Sequence, residues 1–146
     1  MSEYPEPVPG LVIRYAYLWK READAGKIEG QKHRPCAIVV AVQREEGEPV
    51  VTVAPITRRR PEDPEKAIEL TAATRRRLNL GTQVNWIMAS ELNSFFWPGP
   101  DLRPTSKGVY HYGELPAVVF EALKQKILSS EHLTPEVTRD TSKPSW

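Results

Sequence analysis

Apolar residues in this chain fall into short stretches, each closed off by prolines, glycines or charges, and few of them repeat with a helical period. Residues 10–17 (GLVIRYAY) are rich in β-branched and aromatic side chains and predict a first strand. Residues 35–43 (PCAIVVAVQ) carry the strongest strand signal, and residues 49–56 (PVVTVAPI) predict its neighbour across the polar, glycine-containing turn 45–48. A short strand is expected at 67–70, followed by a short helix that Thr71 caps and that stops near Asn79 and Gly81. Two further apolar stretches, 84–89 and 92–97, flank Ser90-Glu91, and Trp97-Pro98-Gly99-Pro100 must end the second of them. Pro116 opens the clearest helix, where Val119, Phe120, Leu123 and Ile127 share one face opposite Glu121, Lys124 and Gln125. Five or six short strands, a short helix and a closing amphipathic helix predict a mainly β fold, a small and strongly bent sheet or barrel.

Three segments fall outside this pattern. Residues 1–9 hold three prolines and two glutamates and read as a flexible N-terminal arm. Residues 19–33 are charged and aperiodic and read as a long loop, a kind of segment that is often functional. Residues 131–146 are mostly polar and read as a disordered tail, which leaves 10–130 as the folded domain.

Composition narrows the class. The chain has 146 residues, enough for one domain with a modest core. Its 14 prolines are about twice the usual share and favour stiff turns between short strands. The one cysteine, Cys36, lies in an apolar run and reads as a core hydrophobe, since reactive thiols need an electropositive, partly exposed setting. Three scattered histidines and that cysteine give no metal-ligand spacing. The opening Met1-Ser2-Glu3-Tyr4-Pro5 has no basic or apolar leader and no run approaches a membrane span, so a cytoplasmic protein is expected. A net charge of +1 argues against strong nonspecific DNA binding, yet leaves room for local basic patches.

An ordered set of landmarks carries a family resemblance across residues 10–130. A strand follows Gly10; Gly30-Gln31-Lys32-His33-Arg34-Pro35 runs into the apolar strand Cys36-Ala37-Ile38; Val53-Ala54-Pro55-Ile56-Thr57 ends another strand. Ser90-Glu91-Leu92-Asn93 then precedes Trp97, and Gly113-Glu114-Leu115 precedes the last helix. In this order the segments resemble the PemK/MazF family of toxins from toxin–antitoxin pairs. The resemblance implies a small SH3-like β-barrel closed by a C-terminal α-helix and a homodimer. It further implies an endoribonuclease that cuts single-stranded RNA without metal or other cofactor and is neutralised by an antitoxin protein.

Such cleavage needs a base for the 2′-OH proton, a cation for the charge on the phosphorane and an acid for the leaving oxygen. The resemblance gives the cation role to Arg34 and a phosphate or base contact to Thr57. The family's acidic position falls at Ser90, with Glu91 one residue on, so Glu91 enters the site only if a bulge restores it. Arg34 also reads as a strand-entry residue, and Thr57 as a turn residue bonding local backbone. Arg58, Arg59 and Arg60 directly follow Thr57 and would flank the groove as RNA-phosphate contacts, with His33 beside Arg34. His33 and His111 are the alternative acid–base groups. Arg75-Arg76-Arg77 spans too much helical arc for one face and reads as solvated. The competing reading is a catalytically silent SH3-like barrel that binds nucleic acid or a protein partner through the same groove.

Overall fold

The computed structural model describes residues 4–19, 33–129 and 136–138. Its centre is an antiparallel sheet of β1 (Leu11–Ala16), β2 (His33–Val42) and β3 (Val50–Thr57). Val12 faces Ala37 across the first ladder and Ile38 faces Val53 across the second. These three strands hold half of the chain's Val and Ile, whose branched side chains pack well on a pleated surface.

Each outer edge of this centre is shared by two shorter strands. On β1, β8 (His111–Glu114) pairs with residues 11–13 and β7 (Leu102–Arg103) with Arg14 and Tyr15. On β3, β6 (Leu92–Phe96) pairs with residues 50–53 and β5 (Trp86–Met88) with Ile56 and Thr57. β4 (Ala67–Glu69) extends the sheet beyond β5, and β9 (Glu136–Thr138) adds in parallel to β6. The fold is therefore mainly β, with eight strands paired antiparallel. The ladder path runs β4-β5-β3-β2-β1-β7 and does not return on itself, so among the described residues hydrogen bonds do not close the expected barrel.

Both faces of the central sheet are buried, and strand alternation sorts the side chains between them. Leu11, Ile13, Tyr15, Cys36, Ile38, Val51 and Val53 join Tyr17, Trp19, Phe95 and Trp97 in an aromatic-rich cluster. Val12, Ala37, Ala54 and Ile56 turn the other way onto Leu70, Leu78, Ile87, Leu115 and Leu123. Cys36 is fully buried and in no disulfide among the described residues, a core hydrophobe as expected.

The helices α1 (Ala72–Arg77) and α2 (Ala117–Ser129) follow their sequence signals. Thr71 Oγ1 accepts from Thr74 N at 3.2 Å and caps α1. Asn79 ends it at φ 58°, with Leu80 N donating to Arg75 O and Asn79 N to Arg76 O, a Schellman ending. α2 buries Leu123 and half-buries Val119, Phe120 and Ile127, the predicted face. No helix of the described residues is long and apolar enough to cross a membrane.

Several expectations needed correction. Residues 4–8 are laid on the core instead of hanging loose: Pro7 is buried, Val8 packs on the aromatic cluster and Tyr4 meets Tyr110 at 4.7 Å. Gly10 follows at φ 94°, its N–H bonded to Ile38 O and its carbonyl to Leu115 N. A residue with a side chain would be strained in that left-handed conformation. Within the tail expected to be disordered, residues 136–138 pair with the outer edge of β6, whose backbone groups need partners. The rest of that tail and most of the long loop (20–32) lie outside the described residues. β7, β8 and β9 went unforeseen because two to four residues containing Gly, Glu or Arg carry no readable alternation.

Candidate nucleic-acid groove

The antiparallel order brings the end of β1, the start of β2 and the end of β3 to one end of the sheet. A groove of about 1180 Å³ opens there. Arg34, Thr57, Glu91, His33, Arg58, Arg59 and Arg60 all line it, although 58 sequence positions separate His33 from Glu91. Arg34 and Thr57 stand two residues beyond the Cys36–Pro55 pair on their respective strands, so by alternation both share its face. Six cationic side chains (Arg14, Arg34, Arg58, Arg59, Arg60, Lys66) oppose three carboxylates (Glu62, Asp63, Glu91) along the walls.

Arg34 is half-buried, its guanidinium carbon 5.0 Å from the centre of the Trp19 ring. A cation over an indole face is attracted by the ring's quadrupole. Its Nε is buried with no hydrogen-bond partner. Trp19 is itself braced edge-on by Tyr17 at 5.1 Å. Beyond the last residue of β1, an amide takes the place of a strand neighbour. Leu18 N donates to Asn93 Oδ1 at 2.9 Å, and Asn93 Nδ2 donates back to Leu18 O at 2.8 Å. Asn93 is fully buried, and this two-way bond fixes the segment that presents Trp19.

Glu91 reaches the groove by the bulge the sequence left open. Val53 faces Asn93 and Ile56 faces Ile87, so the two residues Ala54 and Pro55 lie opposite the five from Met88 to Leu92. Three extra residues are thrown out of the ladder, opposite a proline that has no N–H to give it. Ser90 and Glu91 are thus in a bend between β5 and β6, and both line the groove, so the strict in-or-out alternation of a strand does not govern them. The Tyr17 hydroxyl makes a long contact, 3.5 Å, to Glu91 Oε2. Burial, and then the Glu91 charge, push the Tyr17 phenol far above the ordinary tyrosine value of 10.0, so it keeps its proton and donates.

Thr57 is buried, and its Oγ1 accepts from Arg59 N at 3.1 Å. That bond forms the tight turn which swings Arg58, Arg59 and Arg60 into solvent along the groove rim. The turn reading of Thr57 is therefore observed, while its hydroxyl proton stays free to donate among the described residues. His33 is exposed at the start of β2 within the groove, whereas His111 lines a separate, smaller hollow. No group of three or more His, Cys, Asp or Glu side chains among the described residues is placed to hold a metal ion.

Sequence reasoning missed Asn93 and Tyr17 as organisers, and Arg14, Lys66 and Tyr112 as lining residues. An asparagine in an apolar strand was the available signal for Asn93, because a buried amide must find partners. No known protein-family model matches the chain, and no curated protein sequence matches it either.

Proposed function

We propose that the groove binds single-stranded RNA and cleaves it without metal, as the resemblance to the PemK/MazF toxins implies. The observation that carries this reading is a convergence: seven residues that the sequence and its resemblance mark as candidates meet in one groove where cations outnumber carboxylates. The fold is read as an SH3-like barrel bent round Tyr15, Phe95 and Trp97, acting in the cytoplasm as a homodimer that an antitoxin neutralises. Cations along the rim match the backbone of a single strand.

In the reaction, Glu91 takes the 2′-OH proton, the 2′ oxygen attacks phosphorus, and the bond from phosphorus to the 5′ oxygen breaks. Arg34 offsets the charge that grows on the phosphoryl oxygens, with its Trp19-backed guanidinium pre-set for that task. The Thr57 hydroxyl donates to a phosphate oxygen, and the exposed His33 is the group available to protonate the leaving 5′ oxygen.

The second reading, a catalytically silent barrel binding RNA or a protein, is favoured by one observation. Both proposed reactive oxygens already have local partners, Glu91 Oε2 at Tyr17 and Thr57 Oγ1 at Arg59. Incubating purified protein with mixed single-stranded RNA in excess chelator separates the two. Cleavage products ending in 2′,3′-cyclic phosphate are expected; RNA that is bound and never cut leaves the silent barrel.

A further inference from the structure

The second arginine run has no place in the main groove, and the structure divides it. Arg75 folds back, its Nη1 donating to Leu70 O at 2.8 Å. Arg76 and Arg77 instead line a separate hollow of about 230 Å³ together with Lys107 and His111. Lys107 sits at the tip of a turn in which Gly108 N donates to Thr105 O at 2.9 Å and Lys107 N to Thr105 Oγ1 at 3.3 Å.

No carboxylate lines this hollow, and among the described residues none pairs with Arg76, Arg77 or Lys107. His111 lines it from β8, and its Nδ1 is buried without a hydrogen-bond partner. Three like charges gathered without a counter-charge repel one another, and an anion among them relieves that repulsion. The hollow also adjoins the main groove, since Asn79 and Tyr112 line both.

We infer that this hollow is a second phosphate subsite, which holds the flanking backbone of a single RNA strand already seated in the main groove. The inference rests on the RNA reading of that groove and adds the strand's path: over the Asn79–Tyr112 saddle and on toward Arg76, Arg77 and Lys107. An acidic protein segment is the other class of polyanion that could sit there. Adjacency to the groove, across Asn79 and Tyr112, favours the RNA strand.

The experiment compares labelled 2′-O-methyl RNA of about four and about twelve nucleotides, lengths that bracket one-module and extended binding. The protein variant combines Arg76→Gln, Arg77→Gln and Lys107→Gln, all three at exposed positions. Wild type should bind the long strand more tightly than the short one. The variant should bind the long strand roughly tenfold more weakly, and its salt slope should fall by about two, at about 0.7 for each phosphate that is no longer neutralised. Its affinity for the short strand should not change.

Equal loss at both lengths, or no loss at either, overturns the subsite while leaving the groove intact, provided Arg34→Ala weakens both. Unchanged RNA affinity with lost binding of polyglutamate overturns it in favour of a protein partner. Wild type that binds neither RNA length overturns the groove reading itself, and the subsite with it.

Discussion

The two faces of the central sheet each carry a buried cluster, and the clusters are differently made. The face toward α1 and α2 is aliphatic: Val12, Ile56, Leu70, Leu78, Ile87 and Leu123 meet with no polar side chain required among them. The opposite face is aromatic, and its rim is where side-chain polar atoms are tied in, through Tyr17 to Glu91 and Asn93 to Leu18. Apolar contacts of the first kind act by filling volume, so substitutions there are felt as lost packing. Aromatic rings with polar tips can fill a core and still present a donor or a π-face at its edge. The aliphatic face chiefly holds the fold, with Ile56 and Leu80 also reaching the groove wall, and the aromatic face ties in the polar contacts at the groove's edge.

That division predicts opposite phenotypes for substitutions on the two faces. Leu123→Ala on the aliphatic face should cost about 2–5 kcal/mol in denaturant unfolding, as loss of buried volume does. RNA affinity measured well below the melting temperature should stay at the wild-type level; a large loss of affinity would show that α2 shapes the groove. Arg34→Ala should do the reverse. Its Nε has no hydrogen-bond partner to strand, so stability should barely change, whereas cleavage should slow by about 10²–10³-fold. Weaker RNA binding should accompany it, because the guanidinium meets phosphate before and during the reaction. An unfolded Arg34→Ala protein would break the division.

Asn93→Ala tests the seam between the two roles. It leaves Leu18 N and Leu18 O unpaired, a cost of about 1–3 kcal/mol, and it releases the segment that carries Trp19. A lowered melting temperature together with weaker RNA binding is expected, and loss of only one of the two would separate the amide from the site.

Much of this was legible in the sequence, and the rest was hidden for physical reasons. β1, β2, β3 and α2 announced themselves because their apolar periods run for six or more residues against a closed set of breakers. Thr71 and Asn79 marked both ends of α1 through side-chain and backbone preferences that act locally. β7, β8 and β9 were invisible because they exist by completing edges that other strands expose, and an edge is not a local property.

The site divides the same way. Arg34 and Thr57 could be named from the Arg-Pro and Pro-Ile-Thr landmarks that carry the resemblance, but the fate of Glu91 depended on how many residues of β5 and β6 fit against Ala54 and Pro55. The Arg75–Arg77 run shows the limit of helical arithmetic. Arc positions on a helix do not tell that Arg75 bends back to Leu70 while Arg76 and Arg77 line a hollow together with Lys107.

The central claim is that Glu91, carried out of the ladder by the bulge, is the base of a metal-independent cut in single-stranded RNA. The direct measurement is the single-turnover cleavage rate of Glu91→Gln in chelator, with RNA affinity read on the same preparation. Glutamine keeps an acceptor for the Tyr17 hydroxyl, so the fold should hold. Cleavage should be abolished and affinity unchanged or slightly raised, since a charge repelling phosphate is gone. Cleavage at the wild-type rate would contradict the claim and move the base to another group, with His33 the first to test.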